Sequence, residues 1–117
     1  MAEERIINQG DVYWLMNEEE ASIPHPYVVV QEDVFNHSRV KTVVVCALTS
    51  NMKRASMAGN VALEVGEANL PKPSVVEVSK ISSVDKTELS EYIGTLNEAR
   101  IQQILAGLRF VQRSFFE

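Results

Sequence analysis

The 117-residue chain contains one cysteine and two histidines. A lone Cys46 forms no internal disulfide, so no staple marks an oxidising compartment. One thiol and two imidazoles are too few ligands for a structural zinc site. Long apolar runs are missing as well, and none reaches the length of a membrane-crossing helix. The first residues, MAEERIINQG, are charged and lack the apolar stretch of a secretion signal. No repeat or low-complexity segment interrupts the pattern. A soluble, cytoplasmic protein without membrane, metal or cofactor chemistry is expected.

What is present fits one globular domain over residues 1–117, with 45% hydrophobic and 23% charged residues. The net charge of −5 argues against a polyanionic partner until its distribution is read. Residues 1–38 hold eight acids (Glu3, Glu4, Asp11, Glu18, Glu19, Glu20, Glu32 and Asp33) against Arg5. Residues 39–60 hold Arg39, Lys41, Lys53 and Arg54 and no acid. Such a basic segment can bind a polyanion, although on charge alone a solvated surface is the better reading.

Strand signals come first along the chain. DVYWLM (Asp11 to Met16) is followed by a polar, acidic loop that closes at IPHP. PYVVVQ (Pro26 to Gln31) and TVVVCAL (Thr42 to Leu48) are continuous apolar runs, as expected of central strands buried on both faces. DVFN between them makes one helical turn capped by Asp33. VALEV (Val61 to Val65) alternates, and SVVEVSKISSV (Ser74 to Val84) carries one long or two short strands. A short helical turn is expected over Lys86 to Tyr92. Beyond Leu96, apolar residues at Ile101, Ile104, Leu105, Leu108, Val111 and Phe115 mark one face of a helix, capped by Asn97 or Thr95. Gly107 inside it costs about 1 kcal/mol against Ala unless close packing uses the missing side chain. Strands followed by a closing helix give an α+β class, mainly β, with a small antiparallel barrel and a C-terminal helix packed on it.

His25 lies between Pro24 and Pro26 at the entrance to a strand, a stiff non-helical mount for an imidazole. If the two central strands are antiparallel neighbours, His25 meets Thr49 at one edge of the sheet. The loop beginning at Thr49 also brings Ser50, Asn51, Lys53 and Arg54. A titratable imidazole, hydroxyls, cations and loop amides together suit a phosphodiester. With RNA, the ribose 2′-hydroxyl supplies the nucleophile, so the protein need only orient it, move protons and stabilise charge. Each piece has a plainer reading: a surface histidine, a turn hydroxyl and solvated cations. Cys46, inside an apolar run, reads as a core residue, and His37 in a polar turn carries no role. Of Tyr13 and Trp14, one faces the core and the other is partly exposed.

In order and spacing, GDVYWL, HPYVVVQED, VVVCALTSNMKR, GNVALEV, ANLPKPSVVEVSKISSVDK and YIGTLNEARIQQILAGL resemble the MazF/PemK family of toxin endoribonucleases. The resemblance spans about residues 9 to 110. It implies an SH3-like barrel that forms a homodimer and cleaves single-stranded RNA without a metal ion. The implied products are a 2′,3′-cyclic phosphate and a 5′-hydroxyl, and a cognate antitoxin lays an extended segment over the RNA groove. Where the family has Arg-Pro at the second strand, this chain has His25-Pro26. The family hydroxyl after the third strand corresponds to Thr49. Where the family has a carboxylate followed by Gln, this chain has Ser79 and Lys80, and the basic residue and threonine beyond become Ser82 and Ser83. Two functions follow as expectations. One is a ribonuclease with His25 and Thr49 catalytic and Ser50, Asn51, Lys53, Arg54, Ser79 and Lys80 binding RNA phosphate. The alternative is a barrel that has lost cleavage and binds RNA or a peptide.

Overall fold

A computed structural model describes residues 5–16 and 25–113. Among these the order is β1 (Asp11–Leu15), β2 (Pro26–Val29), α1 (Asp33–Asn36), β3 (Thr42–Thr49), β4 (Val61–Leu63), β5 (Ser74–Asp85), β6 (Leu89–Thr95) and α2 (Glu98–Gln112). Short 3₁₀ turns occupy Met52–Ser56, Glu67–Asn69 and Lys86–Glu88. The strands form one antiparallel sheet in the order β4-β5-β3-β2-β1-β6.

The two continuous β-branched runs take central positions. There the pleat sends successive side chains to opposite faces, so both faces need apolar residues. Val28, Cys46, Leu48, Val76 and Val78 join the core that α2 covers with Ile101, Ile104 and Leu108. Val29, Val43 and Val45 face the other way, packed with Tyr13 and the partly buried Tyr27, Val84, Leu89 and Tyr92. Cys46 is a fully buried core residue, and Trp14 is more exposed than Tyr13.

The two edge strands are drawn together by the turn at Glu67–Asn69. Asn69 Nδ2 donates to the Ile93 carbonyl at 3.0 Å, and a side chain at Gly94 would strike the Ala68 backbone. Ala68 and Asn69 both have positive φ there, at 50° and 59°. Asn tolerates that region better than Ala does. This contact curls the sheet into the expected small barrel with the C-terminal helix on it.

Several boundaries depart from the sequence expectation. The turn after Asp85 stops at Glu88, and Leu89 to Thr95 form the edge strand β6 against β1, so the helical turn expected to reach Tyr92 is corrected. The capping box at Asp85 and Glu88 is formed but holds only the one turn, and pairing with β1 takes the residues beyond it. β4 ends at Leu63 and β2 at Val29. Glu32, not Asp33, is the N-cap of α1, while Asp33 Oδ1 accepts from the Gln9 N–H at 2.6 Å. Asn97 is the cap of α2, its side chain accepting from the Arg100 N–H. Lys86 Nζ donates to the carbonyls of Phe35, Asn36 and Ser38 at 3.0–3.2 Å, which closes the C-terminal end of α1. Pro24, the acidic loop at Glu18 to Glu20 and Phe115 lie outside the described residues.

Candidate active site

β2 and β3 pair through Tyr27↔Ala47, Val28↔Cys46 and Val29↔Val45. His25 lies just before β2; continued two residues beyond its last pair, that register would bring His25 level with Thr49. Directly opposed residues of an antiparallel pair share a face, and every second residue returns to it. Thr49 therefore belongs to the face of Ala47, away from α2, and the continued register would put His25 on that face too. Both are partly exposed at the end of the sheet where β3 gives way to its loop.

The loop is shaped by its own polar side chains. Thr49 Oγ1 accepts from the Asn51 N–H at 3.2 Å, and Asn51 Oδ1 caps the next turn by accepting from the Lys53 N–H at 3.2 Å. That turn, Met52–Ser56, holds Lys53 and Arg54 immediately beyond the end of β3. Ser50, Asn51, Lys53 and Arg54 are all exposed. Asn60 fixes the far side of the loop: its Nδ2 donates to the Arg54 carbonyl at 3.0 Å while its Oδ1 accepts from the Val78 N–H at 3.1 Å.

The partner strand β5 is bulged at this point. Cys46 pairs with Ile81 but Leu48 pairs with Val76, so two steps along β3 match five along β5. The surplus segment, residues 77–80, falls between the pairs that flank Ala47 and carries three charged or hydroxyl groups, Glu77, Ser79 and Lys80, of which Ser79 and Lys80 are exposed. Val75 pairs with Thr49, and alternation returns Glu77 to the same face. The Glu77 side chain is only 6% exposed. Its Oε1 lies 3.8 Å from Arg54 Nε and its Oε2 lies 3.6 Å from Lys80 Nζ, two cations whose side chains are 48% and 59% exposed.

The residues selected from the sequence thus gather around the ends of β2 and β3 and the bulge of β5. Ser79 is exposed within the bulge, while Ser82 and Ser83 lie farther along β5, paired with Val45 and Val44. Among the described residues no cluster of three His, Cys, Asp or Glu side chains is suited to holding a metal ion. Cys46 is no nucleophile: burial pushes its thiol up to about 12.

A family model for the PemK-like, MazF-like toxin of type II toxin–antitoxin systems matches residues 8–111. The chain belongs to this family. Among curated MazF relatives, it is 34% identical to endoribonuclease MazF6 of Mycobacterium tuberculosis over 110 residues, 91% of this chain and 96% of the relative. It is 28% identical to endoribonuclease MazF of Staphylococcus saprophyticus over 104 residues, 85% of each. Solved structures share the fold. A mycobacterial endoribonuclease in complex with its cognate antitoxin superposes with a TM-score of 0.75, at 22% identity, covering 92% of this chain and 95% of that one. MazF within a MazE–MazF complex from Deinococcus radiodurans gives a TM-score of 0.73, at 16% identity, covering 92% and 96%.

Glu77 is a buried charge beside these residues that the sequence did not single out. A carboxylate is absent at Ser79, yet one stands two residues earlier. The signal was an acid inside SVVEV, a run apolar enough to be central, where charge is rarely buried unless paired.

Proposed function

We propose that this chain is a metal-independent endoribonuclease of the MazF type, a single-domain cytoplasmic toxin of a toxin–antitoxin pair. The observation that supports the reading is the antiparallel pairing of β2 with β3, which, continued two residues past Tyr27↔Ala47, would bring His25 level with Thr49. The curated relatives, named as endoribonucleases along nearly their whole length, support it.

The substrate is single-stranded RNA. Its 2′-hydroxyl attacks the adjacent phosphorus, loses its proton, and displaces the 5′-oxygen of the next nucleotide, which takes a proton. The ends left are a 2′,3′-cyclic phosphate and a 5′-hydroxyl. His25 is the acid or base, since imidazole gains and loses a proton near neutral pH. Unlike a guanidinium it is not permanently charged, so proton transfer rather than a fixed bidentate clamp is its part. Thr49 donates a hydrogen bond to a non-bridging phosphate oxygen. Lys53, Arg54 and Lys80 neutralise charge as it grows in the transition state, and Ser50, Asn51 and Ser79 bind neighbouring phosphates. The active form is a homodimer, and a cognate antitoxin blocks the groove with an extended segment.

The test is cleavage of mixed RNA in EDTA, with the ends analysed for cyclic phosphate. Wild type should cut, with a pH–rate limb set by an imidazole that disappears in His25→Ala. Thr49→Ala should lower kcat by about a hundredfold, in line with loss of one transition-state donor, while leaving the melting temperature nearly unchanged. Tight RNA binding without fragments would instead favour a binding module, and full cleavage by Thr49→Ala would remove that residue from the mechanism.

A further inference from the structure

Resting on the ribonuclease reading above, we propose that Glu77 is a positioning residue that aims Arg54 and Lys80 at the scissile phosphate. A carboxylate this deeply buried is costly unless cations meet it. Here each oxygen faces a different one, Oε1 towards Arg54 and Oε2 towards Lys80. The cations reach Glu77 from two segments far apart in sequence, the loop after β3 and the bulge of β5. Without the carboxylate they would repel each other and swing into solvent. With it, their charged ends are held close together while about half of each side chain stays accessible.

The bulge is what makes the arrangement possible. It turns residues 77–80 so that Glu77 and Lys80, three apart, reach each other. It also leaves the Val78 N–H to Asn60 rather than to the β3 ladder. Because the same Asn60 side chain holds the Arg54 carbonyl, backbone and side chain of Arg54 are both referenced to β5. A guanidinium has five donors. Glu77 and the Met57 Sδ, 3.6 Å from Arg54 Nη1, engage only part of them.

Removing the negative charge should separate binding from turnover. The groove becomes more positive, so RNA is held at least as well, but the cations lose their aim. Glu77→Gln, which keeps the volume, is expected to lower kcat about tenfold with KM unchanged or reduced. In the Arg54→Ala/Lys80→Ala background the same change should have no further effect on kcat, because Glu77 acts through those two residues. Glu77→Asp keeps the charge but withdraws it by one methylene. It should give the same split in weaker form, and it serves if the glutamine variant does not fold, as judged by circular dichroism. Wild-type kcat in both variants would overturn the proposal. So would loss of a pH–rate limb in Glu77→Gln that Arg54→Ala/Lys80→Ala retains, since Glu77 would then itself move a proton. A wild-type chain that cuts no RNA fails the ribonuclease reading and this inference together, whereas a cutting wild type with an indifferent Glu77 fails this inference alone.

Discussion

Arg100 grips Glu67 with two hydrogen bonds, Nε and Nη2 each 2.9 Å from a separate carboxylate oxygen. The same carboxylate accepts the Glu64 N–H at 2.7 Å. Glu67 opens the turn that joins the two edges of the sheet, so this pair ties α2 to the closure of the barrel. Its hydrogen bond to Arg100, first, outweighs the opposing effect of burial and holds the Glu67 carboxyl below its ordinary value of 4.5. A carboxylate lowered on folding stabilises above its unfolded pKa, and the stabilisation fades as pH falls through the folded one. The melting temperature should therefore drop below about pH 4.5. Glu67→Gln should remove that share of the acid sensitivity and cost about 1–2 kcal/mol at pH 7, reasonable for a bidentate, mostly buried charged pair. Thermal melts of both proteins at pH 7, 5 and 3.5 measure it; parallel curves would show that the pair contributes nothing.

At the scale of elements, α2 depends on a missing side chain. A Cβ at Gly107 would collide with the Gly59 carbonyl oxygen and lie 3.2 Å from Val78 Cγ1. Helix propensity favours Ala over Gly by about 1 kcal/mol, yet overpacking against backbone costs about 1–3 kcal/mol. Gly107→Ala should therefore destabilise, read as a lower denaturant midpoint at unchanged slope; a gain in stability would mean the helix shifts freely. The close packing of Gly107 was open to inference from its place on the apolar stripe, but its partner was not, because Gly59 lies in a loop with no periodicity. Likewise the runs around Val28 and Val45 read directly as central strands, since burial on both faces writes itself into consecutive residues. β6 did not. Leu89 and Tyr92 are three apart, a spacing that suits a helix, and only the presence of β1 alongside decides otherwise. The mismatch of β5 against β3 belongs to the pairing and not to either strand, so the position of Glu77 beside Arg54 could not be read from spacing, while the antiparallel neighbourhood of β2 and β3 could.

For the whole molecule, the question is how a chain of net charge −5 attracts RNA. The basic segment of residues 39–60 is split by the fold. β3 has eight residues, about 23 Å end to end at the rise of a strand. It carries Arg39 and Lys41 to one end of the sheet and Lys53 and Arg54 to the other. That distance is well over the Debye length of about 8 Å at physiological salt. The second pair, joined by Lys80 across the bulge, lies at the end of the sheet where the proposed function puts the phosphate. Three cations on a single strand correspond to a slope of about −2 in log K against log salt, at about 0.7 per phosphate. Binding of a 2′-O-methyl RNA, which lacks the attacking hydroxyl and stays intact, should show that slope across a salt titration. Lys53→Ala should flatten it by about 0.7, whereas Arg39→Ala, at the far end of β3, should leave it as it is. Equal effects from the two variants would mean that RNA follows the basic segment by sequence rather than by the face on which Thr49 stands.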